Sequence, residues 1–108
     1  MDLNLVVLCG RLATPGEVRE FESGTRMLRL LVTTRTEAPR RRTDVVPVTL
    51  WDPDDGLVDQ VSEKDVRVWV VGAMQRRYWE SPDGRRSRLE VVAEQVTVRQ
   101  PDIEEVGA

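Results

Sequence analysis

The chain has 108 residues, 40% of them apolar and 32% charged, and a formal charge of −3. That length suits one domain around one core, and the composition is that of a folded soluble protein rather than a disordered one. With no histidine and one cysteine, Cys9, the chain can hold no histidine general base, Cys–His nucleophile pair, His/Cys zinc site or intrachain disulfide.

Alternation of apolar and polar residues predicts five strands. The first covers residues 3–12, where Leu5-Val6-Val7-Leu8-Cys9 is apolar on both parities, as in a strand covered on both faces. Cys9 reads there as a small buried hydrophobe. Asp2 and Asn4 break any signal-peptide pattern, and no apolar run approaches membrane-spanning length. The chain is therefore expected in the cytoplasm, associated with the nucleoid if its partner is DNA. Thr14-Pro15-Gly16 ends this strand, and Ser23-Gly24 turns into the second, 26–36. There Leu28, Leu30 and Val32 share one face, and Arg29, Thr33 and Arg35 the other.

The third strand, 44–51, sets Val46, Val48 and Leu50 against Val45, Thr49 and Trp51. Pro47 within it cannot donate to a ladder and calls for an edge or a bulge. After Pro53, Asp54 or Asp55 caps a short helix with Leu57, Val58 and Val61 on one side. The fourth strand, 66–80, is apolar on both parities at its start, and its Trp69 reads as core or subunit interface. Ser81-Pro82-Asp83-Gly84 is a tight turn into the fifth strand, 85–98. Five strands with one helix between the third and fourth is the order of an all-β Greek-key OB barrel. A β-sandwich is the competing architecture, but it needs about seven strands. Residues 1–100 form this single domain and 101–108 a short acidic tail.

The net charge conceals its distribution. Residues 26–51 hold six arginines against two acids, and residues 74–100 six against four. Residues 52–65 and the tail are acidic. Fifteen of the sixteen basic residues are arginine, whose planar fork fits phosphate and stacks on rings. OB barrels bind oligomers on the face around the second and third strands and its flanking loops, and the arginines fall there. Arg40-Arg41-Arg42 lies in the loop between strands two and three, and Arg35 shares the parity of Trp51. Arg76, Arg77, Arg85 and Arg86 flank the last hairpin, with Tyr78 and Trp79 near its tip. Those two rings are adjacent, so alternation turns one inward; Trp79 is expected outward.

Exposed indoles beside guanidinium groups are what sequence-independent binding of single-stranded nucleic acid requires. A solvated, salt-bridged surface and a protein-interaction module serving acidic partners use the same residues. The acids of 52–65 have no metal-ligand spacing, and no acid/base or nucleophile constellation can be assembled. No enzyme, metal or cofactor is expected.

The motifs resemble those of the bacterial single-stranded DNA-binding proteins (SSB) over about residues 3–98. Asn4-Leu5-Val6-Val7-Leu8-Cys9-Gly10-Arg11-Leu12 is similar to the family's opening strand, and Val68-Trp69-Val70-Val71-Gly72 to its V-aromatic-V-x-G strand. Val48-Thr49-Leu50-Trp51 matches the end of a strand bearing an aromatic DNA contact. Arg77-Tyr78-Trp79, Asp83-Gly84 and Glu90-Val91 resemble its R-x-W…G…E-V hairpin.

The resemblance implies an OB fold and binding of single-stranded DNA in replication, repair or recombination, with Trp51 and Trp79 as base-stacking sites. It also implies a homo-oligomer, a tetramer more than a dimer. Two further tryptophans of the family are replaced here by Glu37 and Val45, and a glycine before the fourth strand by Asp65. The family's long tail with its acidic Asp-Asp-x-Pro-Phe tip has no counterpart in Glu104-Glu105-Val106-Gly107-Ala108. Recruitment of partners through such a tail is therefore not expected, and a shortened paralogue is. A neighbouring resemblance is to the primosomal protein N family, tail-less OB dimers that bind DNA and a helicase.

Overall fold

A computed structural model describes residues 1–99; the expected acidic tail lies outside the described residues. The strands are β1 (Val6–Leu12), β2 (Glu17–Glu20), β3 (Arg26–Thr36), β4 (Arg42–Trp51), β5 (Arg67–Ser81) and β6 (Gly84–Arg99), with α1 (Asp55–Gln60) between β4 and β5. The sheet runs β1-β5-β6-β4-β3-β2, and an added β1–β3 pairing closes it. β1 and β2 act as one barrel strand, because both pair with β3 and the Ala13 N–H donates to the Leu31 carbonyl between them. The result is the expected five-stranded OB barrel, in which β4 and β6 run parallel and the other neighbours antiparallel.

Two details depart from the sequence reading. Thr14-Pro15-Gly16 interrupts the first strand rather than ending it, since the chain resumes as β2. Residues 3–5 precede β1, because the Asn4 side chain occupies the edge there. Its Nδ2 donates to the Met74 carbonyl at 2.7 Å, and its Oδ1 accepts from the Met74 N–H at 2.9 Å.

Inward parity builds the core. Leu28, Leu30 and Val32 of β3 meet Val48 of β4, Val68 and Val70 of β5, Val91 of β6 and Leu12 of β1, all essentially buried. Each such aliphatic side chain contributes about 1.5–3 kcal/mol through burial. Asp54 caps α1 by accepting from the Leu57 N–H at 2.8 Å. Leu57 and Val61 then reach the core, while the Gly16 N–H bonds the Val61 carbonyl at 2.7 Å. The Arg26 guanidinium donates to the Pro53 carbonyl and pairs with Asp55, tying the helix to β3.

Pro47 is accommodated by the ladders. Its β3 partner is Leu31, whose carbonyl is turned toward Ala13, and β4 pairs with β6 only at Val48 and Thr49. The missing N–H thus lies where β4 is an edge, as expected. Asp65, where the resembled family carries glycine, takes a φ of 67°, a left-handed conformation that aspartate tolerates better than most side chains.

The outer wall corrects a further expectation. β1 and β5 are covered on one face only: Val7 is 55% and Trp69 43% exposed, and Cys9 is exposed rather than buried. No other strand or helix of the described residues covers that side, where only the Arg99 guanidinium reaches over the Trp69 ring, 6.0 Å from its centre, so Trp69 is no part of the core.

Closure depends on Gly10. A Cβ there would run into the Thr33 carbonyl oxygen and meet Val32 Cγ1 at 3.0 Å. Gly10→Ala is therefore expected to lower stability by about 1–3 kcal/mol, the usual cost of overpacking a tight site, as measured by urea unfolding.

Candidate nucleic-acid interface

Register sorts the outward side chains. Across β3 and β4, Met27 faces Trp51, Arg29 faces Thr49, Thr33 faces Val45 and Arg35 faces Thr43, all on the parity opposite Leu28, Leu30 and Val32, although Met27 and Thr49 are themselves buried. Trp51 is 47% exposed there. Along the β5–β6 hairpin, Arg77 faces Arg88 and Trp79 faces Arg86. These share the parity of Glu90, which accepts from Thr49 Oγ1 at 3.2 Å. The two tryptophans therefore stand on one outer wall, Trp79 at 41% exposure.

That wall is concave around Trp79. Arg29, Arg77, Trp79 and Arg88 line an opening of about 220 Å³. Arg29 and Arg88 also border a neighbouring groove of about 260 Å³ that passes Leu31 and Pro47. One indole with three guanidinium groups offers a face for a base and forks for its phosphates.

The other expected residues divide. Tyr78 is exposed but on the opposite face of the hairpin, beside Ser87, with the Arg85 guanidinium 4.5 Å from its ring centre. The hairpin extends beyond the barrel, so both of its faces meet water and the inward ring of the sequence reading is not buried. Arg76 donates to Ser87 Oγ on Tyr78's side. Arg86 pairs with Asp83 at 3.5 Å. In the β3–β4 region Arg41 pairs with Glu37 at 3.4 Å and Arg42 with Asp44 at 3.0 Å, while Arg40 has no such partner among the described residues. Such exposed pairs contribute little and open easily to a competing anion. Arg35 belongs to a different concavity, with Arg11 and Arg67.

Three residues at the wall escape the sequence reading as site residues. Arg29 and Arg88 carry the outward parity, a usable signal, but only the register brings them to Trp79. Phe21 has no periodic signal at all. It opens the β2–β3 turn, where its N–H donates to the Thr25 carbonyl and its carbonyl accepts from the Gly24 N–H. Its ring lies against Trp51, centroids 5.8 Å apart at 29°. Phe21 thus braces one side of the indole and leaves it less freedom to fold away.

Among the described residues, no group of three or more His, Cys, Asp or Glu is arranged to hold a metal. No described helix is long and apolar enough to cross a membrane.

Barrel, helix position and ring-bearing wall together define an OB-fold module. The chain belongs to the single-strand binding protein family, whose model matches residues 3–99; it is a family of binding proteins, not enzymes. Single-stranded DNA-binding protein 1 of Nostoc sp. and the single-stranded DNA-binding protein of Anabaena variabilis are each 27% identical over 79 residues, which is 73% of this chain. The match spans 66% of the length of those relatives. A solved Plasmodium falciparum SSB in complex with ssDNA has the same fold, with a TM-score of 0.79 at 19% identity. That likeness covers 93% of this chain and 97% of the other.

Bracing by Phe21 has a direct readout. In a background where Trp69 and Trp79 are phenylalanine, Phe21→Ala is expected to make Trp51 emission more sensitive to acrylamide quenching, consistent with losing a ring pair of about 0.5–1.5 kcal/mol.

Proposed function

We propose that this chain binds single-stranded DNA without reading its sequence. Bases stack on Trp79 and Trp51, and arginines neutralise the phosphates. The observation that carries this reading is the convergence of Arg29, Arg77 and Arg88 on the exposed ring of Trp79, on the same wall as Trp51. Membership of the single-strand binding protein family supports it. Arg40 and Arg41 of the β3–β4 loop, Arg42, which opens β4 rather than lying in the loop, and Arg76, Arg85 and Arg86 of the hairpin extend the basic track. A role in replication, repair or recombination within the cytoplasm follows from this reading.

The active form is a homo-oligomer, a tetramer in preference to a dimer. β1 pairs with β5 from Val6 to Arg11 but with β3 only at Arg11 and Leu12, leaving much of one edge open. Beside it the exposed Leu5, Val7 and Trp69 form an apolar face. An open edge next to exposed apolar side chains favours pairing with another chain. Trp69→Glu is expected to lower the molecular mass seen by mass photometry while the barrel stays folded by circular dichroism. A dimer in the unmodified protein would instead favour the primosomal protein N-like reading.

Titration with poly-dT at two salt concentrations tests the binding. Tryptophan emission should quench, and salt should reverse it with a slope of about −0.7 per phosphate neutralised. Trp79→Ala should weaken binding by about 1–3 kcal/mol, the contribution of one stacked base. A flat signal at low salt from folded protein would reject the function, and unchanged affinity in both Trp51→Ala and Trp79→Ala would reject the wall.

A further inference from the structure

A second basic concavity, of about 290 Å³, shares no lining residue with the one at Trp79. It is lined by Cys9, Gly10, Arg11, Thr33, Arg35 and Arg67. Barrel closure makes it. Arg11 faces Thr33 on β3 and Arg67 on β5, and Arg35 follows Thr33 by two residues on the same face. Three strands thus bring three guanidinium groups to one opening.

Its chemistry is unlike that of the tryptophan wall. No carboxylate lines it, and no side-chain hydrogen bond or ion pair joins Arg11, Arg35 or Arg67 to another described residue. Arg26, Arg41, Arg42 and Arg86, by contrast, each hold an acid. Like charges gathered without a counter-ion repel one another, and an oxyanion among them relieves that repulsion while using their forks bidentately. The Thr33 hydroxyl adds a donor at the lining. No ring lines the opening, so a base finds no surface to stack on there, and phosphate is the part of a strand that the site suits.

We propose that Arg11, Arg35 and Arg67 form a discrete phosphate-binding subsite, separate from the stacking wall. It holds a strand's backbone phosphate or a free phosphate anion. For the strand as source, the proposal rests on the single-stranded DNA reading given above. The subsite anchors the backbone away from the rings, so a strand is fixed at one place by its bases and at another by its phosphates.

The test compares the full chain with R11Q/R67Q and with R19Q/K64Q, which removes equal charge away from both concavities. Three probes separate the sources: oligothymidylate, an abasic deoxyribose-phosphate strand of the same length, and inorganic pyrophosphate. R11Q/R67Q should lose about tenfold or more in affinity for the abasic strand, as expected for charged hydrogen bonds. Its salt slope for oligothymidylate should be shallower by about 0.7–1.4, with tryptophan quenching at saturation unchanged. R19Q/K64Q should show a much smaller loss.

Equal losses in the two variants, or none in either, overturn the subsite even if oligothymidylate binds and quenches. If oligothymidylate fails to quench, the single-stranded DNA reading falls, and pyrophosphate decides the subsite alone. Binding to the unmodified chain that R11Q/R67Q abolishes supports a site for free phosphate; no binding overturns it.

Discussion

Barrel closure where β1 passes between β5 and β3 is the constraint on which the other features depend. The two backbones approach so closely at Gly10 and Thr33 that a side chain has no room. Once the strands meet there, the register of each is fixed, and so is the side of the sheet that every residue faces. A slip of one residue would exchange Leu28, Leu30 and Val32 for Arg29, Leu31 and Thr33. The cost of burying the Arg29 guanidinium makes that exchange untenable. The same closure sets Arg11 between Thr33 and Arg67, so the packing of the core and the charge of the outer wall have one geometric origin.

The wall carries distinct chemistries side by side. Indole rings and arginines occupy the β3–β4 sheet and the β5–β6 hairpin, and an apolar face lies on β1 and β5. Acids cluster around α1, where Asp54 caps the helix and Asp55 holds Arg26. A protein of net negative charge can therefore present a basic track, because a strand responds to the local field within about a Debye length and not to the total. The arginines of the β3–β4 loop and the hairpin tip hold nearby acids through weak, exposed pairs. Such pairs keep the free protein's basic surface partly neutralised without fixing it.

The two rings of this wall are supported differently. Trp51 stands at the end of a strand and is supported by Phe21. Trp79 stands on a hairpin that leaves the barrel, with Tyr78 and Arg85 stacked on its other face. In the proposed binding mode, a platform with one braced ring and one on a projecting arm would hold a strand at one point and follow its path at another. That division suits a ligand whose bases vary along its length.

The amino-acid order by itself determined the five barrel strands, the helix and, where apolar and polar residues alternate, which of them face outward. These are local properties, set by a period of two, by Pro–Gly turn chemistry and by a capping aspartate. Trp51 and Trp79 were legible as exposed rings for that reason. Only the tertiary structure decided that Arg29 and Arg88 join Trp79, that Phe21 lies on Trp51, and that Arg11, Arg35 and Arg67 share an opening. It also decided that Cys9 and Trp69 face outward, since an apolar run reads alike whether its second face is covered by the same chain, by another, or by neither. Each of these outcomes depends on the register between strands distant in the chain, which alternation along any one strand does not encode.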